Sequence, residues 1–189
     1  MLEKIRNKIK KKLSEKRYKH VLRTEEMAVK IGKQYGIDEK RLRIAALLHD
    51  YAKEEKLENL QKICKKHYGK EVENYLDMNE ILHGFAGAIL AKEEFGIEDK
   101  DILEAIKYHT VGKRELSILG KIIYMADAVE EGRDYPGVEE LRDIALKNLD
   151  EAILMELQQK LEYLLKKEIR IHLNTVDMRN NILEMRRKK

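Results

Sequence analysis

The chain holds a single proline, Pro136, in 189 residues, and five of its ten glycines (Gly36, Gly69, Gly96, Gly112 and Gly132) fall at the ends of stretches with helical apolar periodicity. Such a chain has almost nothing to break a helix, and glycine just past a helix end supplies the left-handed cap. Its bulk is Leu, Ile, Lys and Glu, all good or tolerable helix formers. No stretch alternates polar and apolar residues as a half-buried strand would. The expectation is an all-α, single-domain bundle spanning 1–189. Its helices are predicted at about 2–15, 17–35, 38–49, 56–67, 79–95, 99–109, 115–130, 138–147 and 150–170, with a last one after Asn174. The segment Gly132–Gly137 carries the proline and reads as a structured loop.

Charged residues make up 39% of the chain, well above the usual figure of about 25%. The 43% apolar content is still enough for a core, so the excess charge describes solvated helix faces rather than disorder. The net charge of +4 is unevenly placed: residues 1–20 hold nine Lys/Arg against two Glu, and 186–189 are Arg-Arg-Lys-Lys, which leaves the body acidic at −7. An acidic body argues against a nucleic-acid protein and implies that phosphate binding would need a metal or a few placed cations. Leu2, Ile5, Ile9 and Leu13 share one face of the basic N-terminal segment, 1–15. That stripe suits packing on the chain's own core, and a membrane surface is the alternative. The 186–189 cluster reads as a solvated tail. Cys64 is the only cysteine, which excludes an internal disulfide and a thiolate zinc site and fits a reducing cytoplasm. No apolar run reaches the length of a membrane span.

The informative residues are histidines and aspartates on apolar stripes. His20, His49-Asp50, His83, His109 and Asp127 each lie in or at the end of a different predicted helix, at intervals of 29, 33, 26 and 18 residues. His20 runs with Val21, Thr24 and Ala28; His109 continues the Ile102, Ala105 stripe; Asp127 continues Leu116, Leu119, Ile123. Polar groups on the inner faces of several helices meet inside the bundle, where burial without partners is costly. A shared cation answers that cost for all of them. Imidazole and carboxylate without thiolate suit iron, manganese or another octahedral metal. Asp50, adjacent to His49, is placed to bridge two ions. The remaining coordination positions would take water and a phosphate oxygen. His67, in Lys65-Lys66-His67, reads as surface.

This pattern, His, then His-Asp, then a distant Asp on a helical bundle, resembles the HD superfamily. Longer stretches resemble its YqeK-type branch, the bacterial symmetrical diadenosine-tetraphosphate hydrolases: Arg17-Tyr18-Lys19-His20, Leu47–Lys53, His83-Gly84, Tyr108-His109-Thr110, Ala126-Asp127, Glu130 to Arg142, His172, Asn174-Thr175 and Arg179-Asn180. The resemblance implies that His20, His49, Asp50 and Asp127 hold iron, one or two ions, with manganese, cobalt or another divalent metal as substitutes. It implies that His83 and His109 face a second metal position or the substrate phosphates. Lys53, Arg133, Tyr135, His172, Asn174 and Thr175 would lie along the nucleotide site. Two positions depart from the branch: Leu173 and Glu131 stand where proline is expected. The first loosens the expected loop, and the second puts a negative charge near phosphate if it points inward.

The implied reaction is hydrolysis of diadenosine tetraphosphate to two ADP by a metal-activated water. Asp50, Lys53 and Arg133 would serve catalysis, and His83 or His109 would protonate the leaving phosphate. An HD phosphohydrolase acting on a mononucleotide, an alarmone or a phosphodiester keeps the same site. A nucleotide sensor without turnover is the reading from another class. A homodimer is compatible with the sequence. Each functional residue also has an ordinary role available. Lys53 suits a helix C-terminus, and Arg133 can pair with Glu130 or Asp134. Asn174 or Thr175 suits an N-cap, with Asp177 in the first turn.

Overall fold

A computed structural model describes residues 1–188; Lys189, the last residue of the basic tail, lies outside them. Among the described residues the architecture is all α, ten helices and three short 3-10 turns. In chain order the helices are α1 (Leu2–Lys12), α2 (Glu15–Gly32), α3 (Glu39–Leu48), α4 (Leu57–Tyr68), α5 (Asn79–Phe95), α6 (Lys100–Tyr108), α7 (Ile118–Val129), α8 (Val138–Ala145), α9 (Leu149–Lys166) and α10 (Leu173–Arg187). The caps follow the sequence. Ser14, Asp38, Asp99 and Ser117 each accept a backbone N–H from the first turn of the helix they precede. Gly36 and Gly96 take the left-handed conformation at helix ends.

Several boundaries differ from the sequence expectation: α7 begins at Ile118 behind its cap Ser117, α9 ends at Lys166 rather than near 170, and three others have local reasons. The first helix stops at Lys12, because Leu13 is extended and Ser14 opens the next helix. The second tightens into a 3-10 turn over Lys33–Tyr35 before Gly36. The last begins at Leu173, and its cap is His172, whose ring accepts the Asn174 N–H, rather than Asn174 or Thr175. Leu173 is thus the first helical residue, the place where proline's fixed φ is tolerated. Leu fills it without loss of the turn, and its side chain is exposed.

One contiguous core runs from Ile5 in α1 to Ile182 in α10. Its centre is α3: Leu42 and the run Ile44–Leu48 are buried on all sides, and the helix packs against α1, α2, α6 and α7. Ile5 and Ile9 are fully buried, so the apolar stripe of the basic N-terminal helix faces the chain's own core rather than a membrane. Among the described residues no helix is long and apolar enough to cross a membrane. Glycine matters most between α5 and α6. A Cβ on Gly84 would come within 2.7 Å of the Lys107 carbonyl and 3.4 Å of the His109 ring. Its absence lets the two helices close until His83 and His109 touch.

Candidate metal centre

Six residues converge from five helices. His20 projects from the middle of α2, His83 from α5 and Asp127 from α7, while His49 and His109 are the C-caps of α3 and α6, with Asp50 following His49. The four histidines and Asp50 are buried, and Asp127 is half-buried at the rim.

The orientation of the four imidazoles is the chief observation. His49, His83 and His109 each set Nδ1 against a backbone carbonyl, of Ala46 (2.6 Å), Asn79 (3.0 Å) and Ile106 (2.8 Å). His20 sets Nδ1 3.1 Å from a Glu130 carboxylate oxygen. An oxygen acceptor there requires an N–H, so each ring carries its proton on Nδ1 and turns the lone pair of Nε2 inward. The lone pairs then face one another: His20 Nε2 lies 3.3 Å from His49 Nε2, and His83 Nε2 lies 3.0 Å from His109 Nε2. Facing lone pairs at that range repel unless something positive stands between them.

The carboxylates complete two groups. Oδ2 of Asp50 is 3.5 Å from both His20 and His49, and Oδ1 of Asp127 is 3.0 Å from His20. The other oxygen of Asp50, Oδ1, is 3.2 Å from His83 and 3.6 Å from His109. Asp50 therefore serves both groups, one oxygen to each. The donor set, imidazole and carboxylate with Nδ1 tied back by partners, is what a divalent cation requires. His20, His49 and Asp50, and again Asp50, His83 and His109, present ligand atoms close enough to share an ion.

Electrostatics agree. Burial works against charge on both aspartates, yet His49 beside Asp50, and His20, His49 and Arg133 around Asp127, hold both carboxyls well below the usual range. Burial would depress His49, but Asp50 outweighs it and raises the imidazole. Burial pushes His109 down to about 4, so its ring is neutral at neutral pH. With Nδ1 set against a carbonyl, His83 and His109 turn Nε2 toward Asp50, which suits the second metal position, one of the two places the sequence reading gives them.

Arg133 reaches the centre from the loop after α7. Its Nη2 donates to Asp127 Oδ1 (2.6 Å) and its Nε to the Asp127 carbonyl (2.9 Å). A longer ion pair to Glu130 (3.9 Å), one of the partners expected from the sequence, stands beside the tighter one to Asp127. Lys53 is not at a helix C-terminus: it stands half-buried in the turn beyond Asp50, where burial lowers its pKa and the Asp50 charge partly restores it. Tyr135 donates its hydroxyl to the Ala128 carbonyl (2.9 Å) and, with Arg133, lines a cleft of about 270 Å³ that starts at His109 and Asp127. Glu131 is exposed and turned toward Lys30, so its charge does not enter the site. The His172 segment sits at the start of α10, against Tyr75 and the chain just after the cleft residue Thr110. His172 stacks on Tyr75 with ring centroids 4.3 Å apart, Thr175 donates to the Val111 carbonyl (2.9 Å), and Asn174 is half-buried at the start of α10.

Three further residues support the site; Arg17, Glu130 and Arg142 fall in stretches that carry the family resemblance, but their contacts emerge only in the fold. Glu130 orients His20 and is itself held by Arg23 Nε (2.5 Å) and the Gly132 N–H (2.5 Å). Arg17 Nη1 donates to Asp50 Oδ2 (2.7 Å). Arg142, buried in α8, holds the carbonyls of Val129 and Glu130 and so fixes the end of α7 and the loop behind it. Carboxylates that orient metal-ligating histidines typically matter by about 10–100-fold in metal affinity. Glu130→Gln is accordingly expected to weaken metal retention by roughly that factor while leaving the fold intact, read by competition with a chromophoric chelator and by circular dichroism.

Residues 17–132 match the HD domain family. The chain is 40% identical to the symmetrical bis(5'-nucleosyl)-tetraphosphatase of Halalkalibacterium halodurans, over 93% of this chain and 93% of that protein. It is 36% identical to the protein of the same name from Staphylococcus aureus, over 95% of this chain and 93% of the relative. The fold superposes on the crystal structure of a predicted HD superfamily hydrolase involved in NAD metabolism from Clostridium acetobutylicum with a TM-score of 0.92 and 39% identity, covering 98% of each chain. Fold, ligand geometry and relatives agree: the chain belongs to the HD-domain family, in the company of the symmetrical bis(5'-nucleosyl)-tetraphosphatases.

Proposed function

We propose that this protein hydrolyses diadenosine tetraphosphate to two ADP at a centre of one or two divalent cations, with iron as the resident metal. The observation that carries the reading is the pair of inward-facing imidazole couples with one Asp50 oxygen directed at each. The names of relatives at 36–40% identity supply the substrate. A donor set of nitrogen and oxygen without thiolate suits iron, manganese and cobalt alike, and the choice of iron among them is what the family resemblance implies.

His20, His49, Asp50 and Asp127 would hold one cation, and Asp50, His83 and His109 the second. Bound there, divalent cations lower the pKa of a water they hold and polarise a phosphoryl oxygen. The remaining work falls to side chains. Glu130 and the three backbone carbonyls fix the tautomer of each ligand. Arg133, half-exposed over the cleft, presents a planar fork to non-bridging phosphate oxygens, and Lys53 adds charge on the Asp50 side. A phosphate chain entering the cleft meets the centre at its His109–Asp127 edge. Cleavage at the second phosphate then requires that one nucleoside diphosphate be seated with its terminal phosphate at the cations.

The test is metal analysis joined to turnover. Protein made without an affinity tag should carry about one to two ions per chain, mainly iron. ADP should appear from the tetraphosphate, cease with a chelator and return with iron or manganese. A metal-free preparation that turns over at full rate overturns the reading.

A further inference from the structure

We propose that Lys160 of α9 senses the length of the phosphate chain, receiving the phosphates beyond the one at the metal centre; the inference rests on the hydrolase reading above. The cleft that leaves His109 and Asp127 has Arg133 and Tyr135 on one side and Glu156 and Lys160 on the other. The family match ends at residue 132, so these four residues lie outside it. The metal ligands belong to the matched segment and serve any phosphoryl group. The four later residues supply the part of the cleft wall that extends beyond the matched segment, where the outer phosphates of a long chain would lie.

Lys160 is built for that position. Its ammonium donates to the Tyr124 hydroxyl (2.6 Å), to Glu156 Oε1 (2.8 Å) and, more loosely, to the Thr110 carbonyl (3.2 Å). The Tyr124 hydroxyl in turn donates to Glu156. Thr110 places its own hydroxyl 3.1 Å from His109 Nε2, so the ammonium stands one residue from the metal ligands. Glu156 and Tyr124 are buried, while the Lys160 side chain keeps 27% of its surface exposed. The ion pair leaves the empty cleft wall without net charge. An arriving phosphate oxygen can take the donor now directed at Thr110, the weakest of the three contacts, while Glu156 and Tyr124 keep the ammonium in place. Lys160 also screens the chain from the Glu156 carboxylate. Its loss would remove an attraction and uncover a repulsion together, and a charge-assisted hydrogen bond of this kind is worth about 10–100-fold in affinity.

The experiment uses the full metal-loaded chain, free of excess metal, and measures binding of orthophosphate and of tripolyphosphate by calorimetry and as competitive inhibition of tetraphosphate turnover. In Lys160→Gln the tripolyphosphate constant should weaken by roughly tenfold to a hundredfold, while orthophosphate, seated at the cations, should change less than about twofold. Lys160→Arg should restore most of the loss. Equal weakening of both ligands would make Lys160 a brace for Thr110, and no change in either would make it only the partner of Glu156; each overturns the proposal. If Lys160→Gln does not fold, Glu156→Gln decides. Freed from its carboxylate, the ammonium should bind tripolyphosphate several-fold more tightly, and unchanged binding refutes the role. Wild-type protein that binds tripolyphosphate through Lys160 yet leaves the tetraphosphate intact would overturn the substrate reading and keep this one.

Discussion

Asp50→Ala is expected to yield protein without metal at either position and with turnover lowered by about a thousandfold or more, since the lost Lewis-acid contribution is several kcal/mol. The reason is geometric. Asp50 gives Oδ2 to His20 and His49 and Oδ1 to His83 and His109 and so touches all four imidazoles, while Asp127 offers a single oxygen, near His20 and grouped with His49 and His109. Removing it leaves four neutral donors and one rim carboxylate, too little negative charge to hold two divalent ions. Arg17, which donates to Asp50 Oδ2, loses its partner and adds positive charge beside the vacant position. Elemental analysis and initial rates check this together. Full metal content with full activity in the variant would remove Asp50 from the centre.

Arg133→Lys is expected to lower kcat by about 10–100-fold while KM moves less than about twofold. Lysine keeps the charge but loses the planar fork, which spans both a side-chain and a backbone oxygen of Asp127 here. A contact that tightens only as charge develops on phosphorus appears in kcat rather than KM. A rise in KM alone would make Arg133 a docking residue. Unchanged constants would make it a tether for the end of α7.

The fold was largely legible because helix ends announce themselves in short-range chemistry. Asp38 sits where a cap belongs, and glycines follow the helices they end, whereas Ser14 and Ser117 lie inside the expected helices 2–15 and 115–130 and emerge as caps only in the fold. The six candidate ligands were legible for a related reason. A histidine or aspartate on an apolar stripe has to be buried, and six on different helices imply a shared partner. What could not be read was everything that depends on how helices face one another. Glu130 opens a stretch that carries the resemblance, but only the packing of α2 on α7 shows that it is buried against His20. Lys160 is four residues from Glu156, a spacing that ordinarily marks a solvated ion pair. Only the position of α9 beside α7 turns that pair into a cleft wall. Which ring nitrogen of His83 and His109 meets the carbonyl one turn back is likewise a detail that sequence does not encode. That His172 itself caps α10 and stacks on Tyr75 also depends on the fold.

The central claim is that a phosphate chain lies along this cleft with its second phosphate at the cations. The products of limited turnover of diadenosine tetraphosphate test it most directly, resolved by ion-exchange chromatography before secondary hydrolysis. The account predicts ADP alone, two for each tetraphosphate consumed. ATP and AMP in equal amounts would contradict it, because they would put the attacked phosphorus one phosphate away from the position this cleft must enforce.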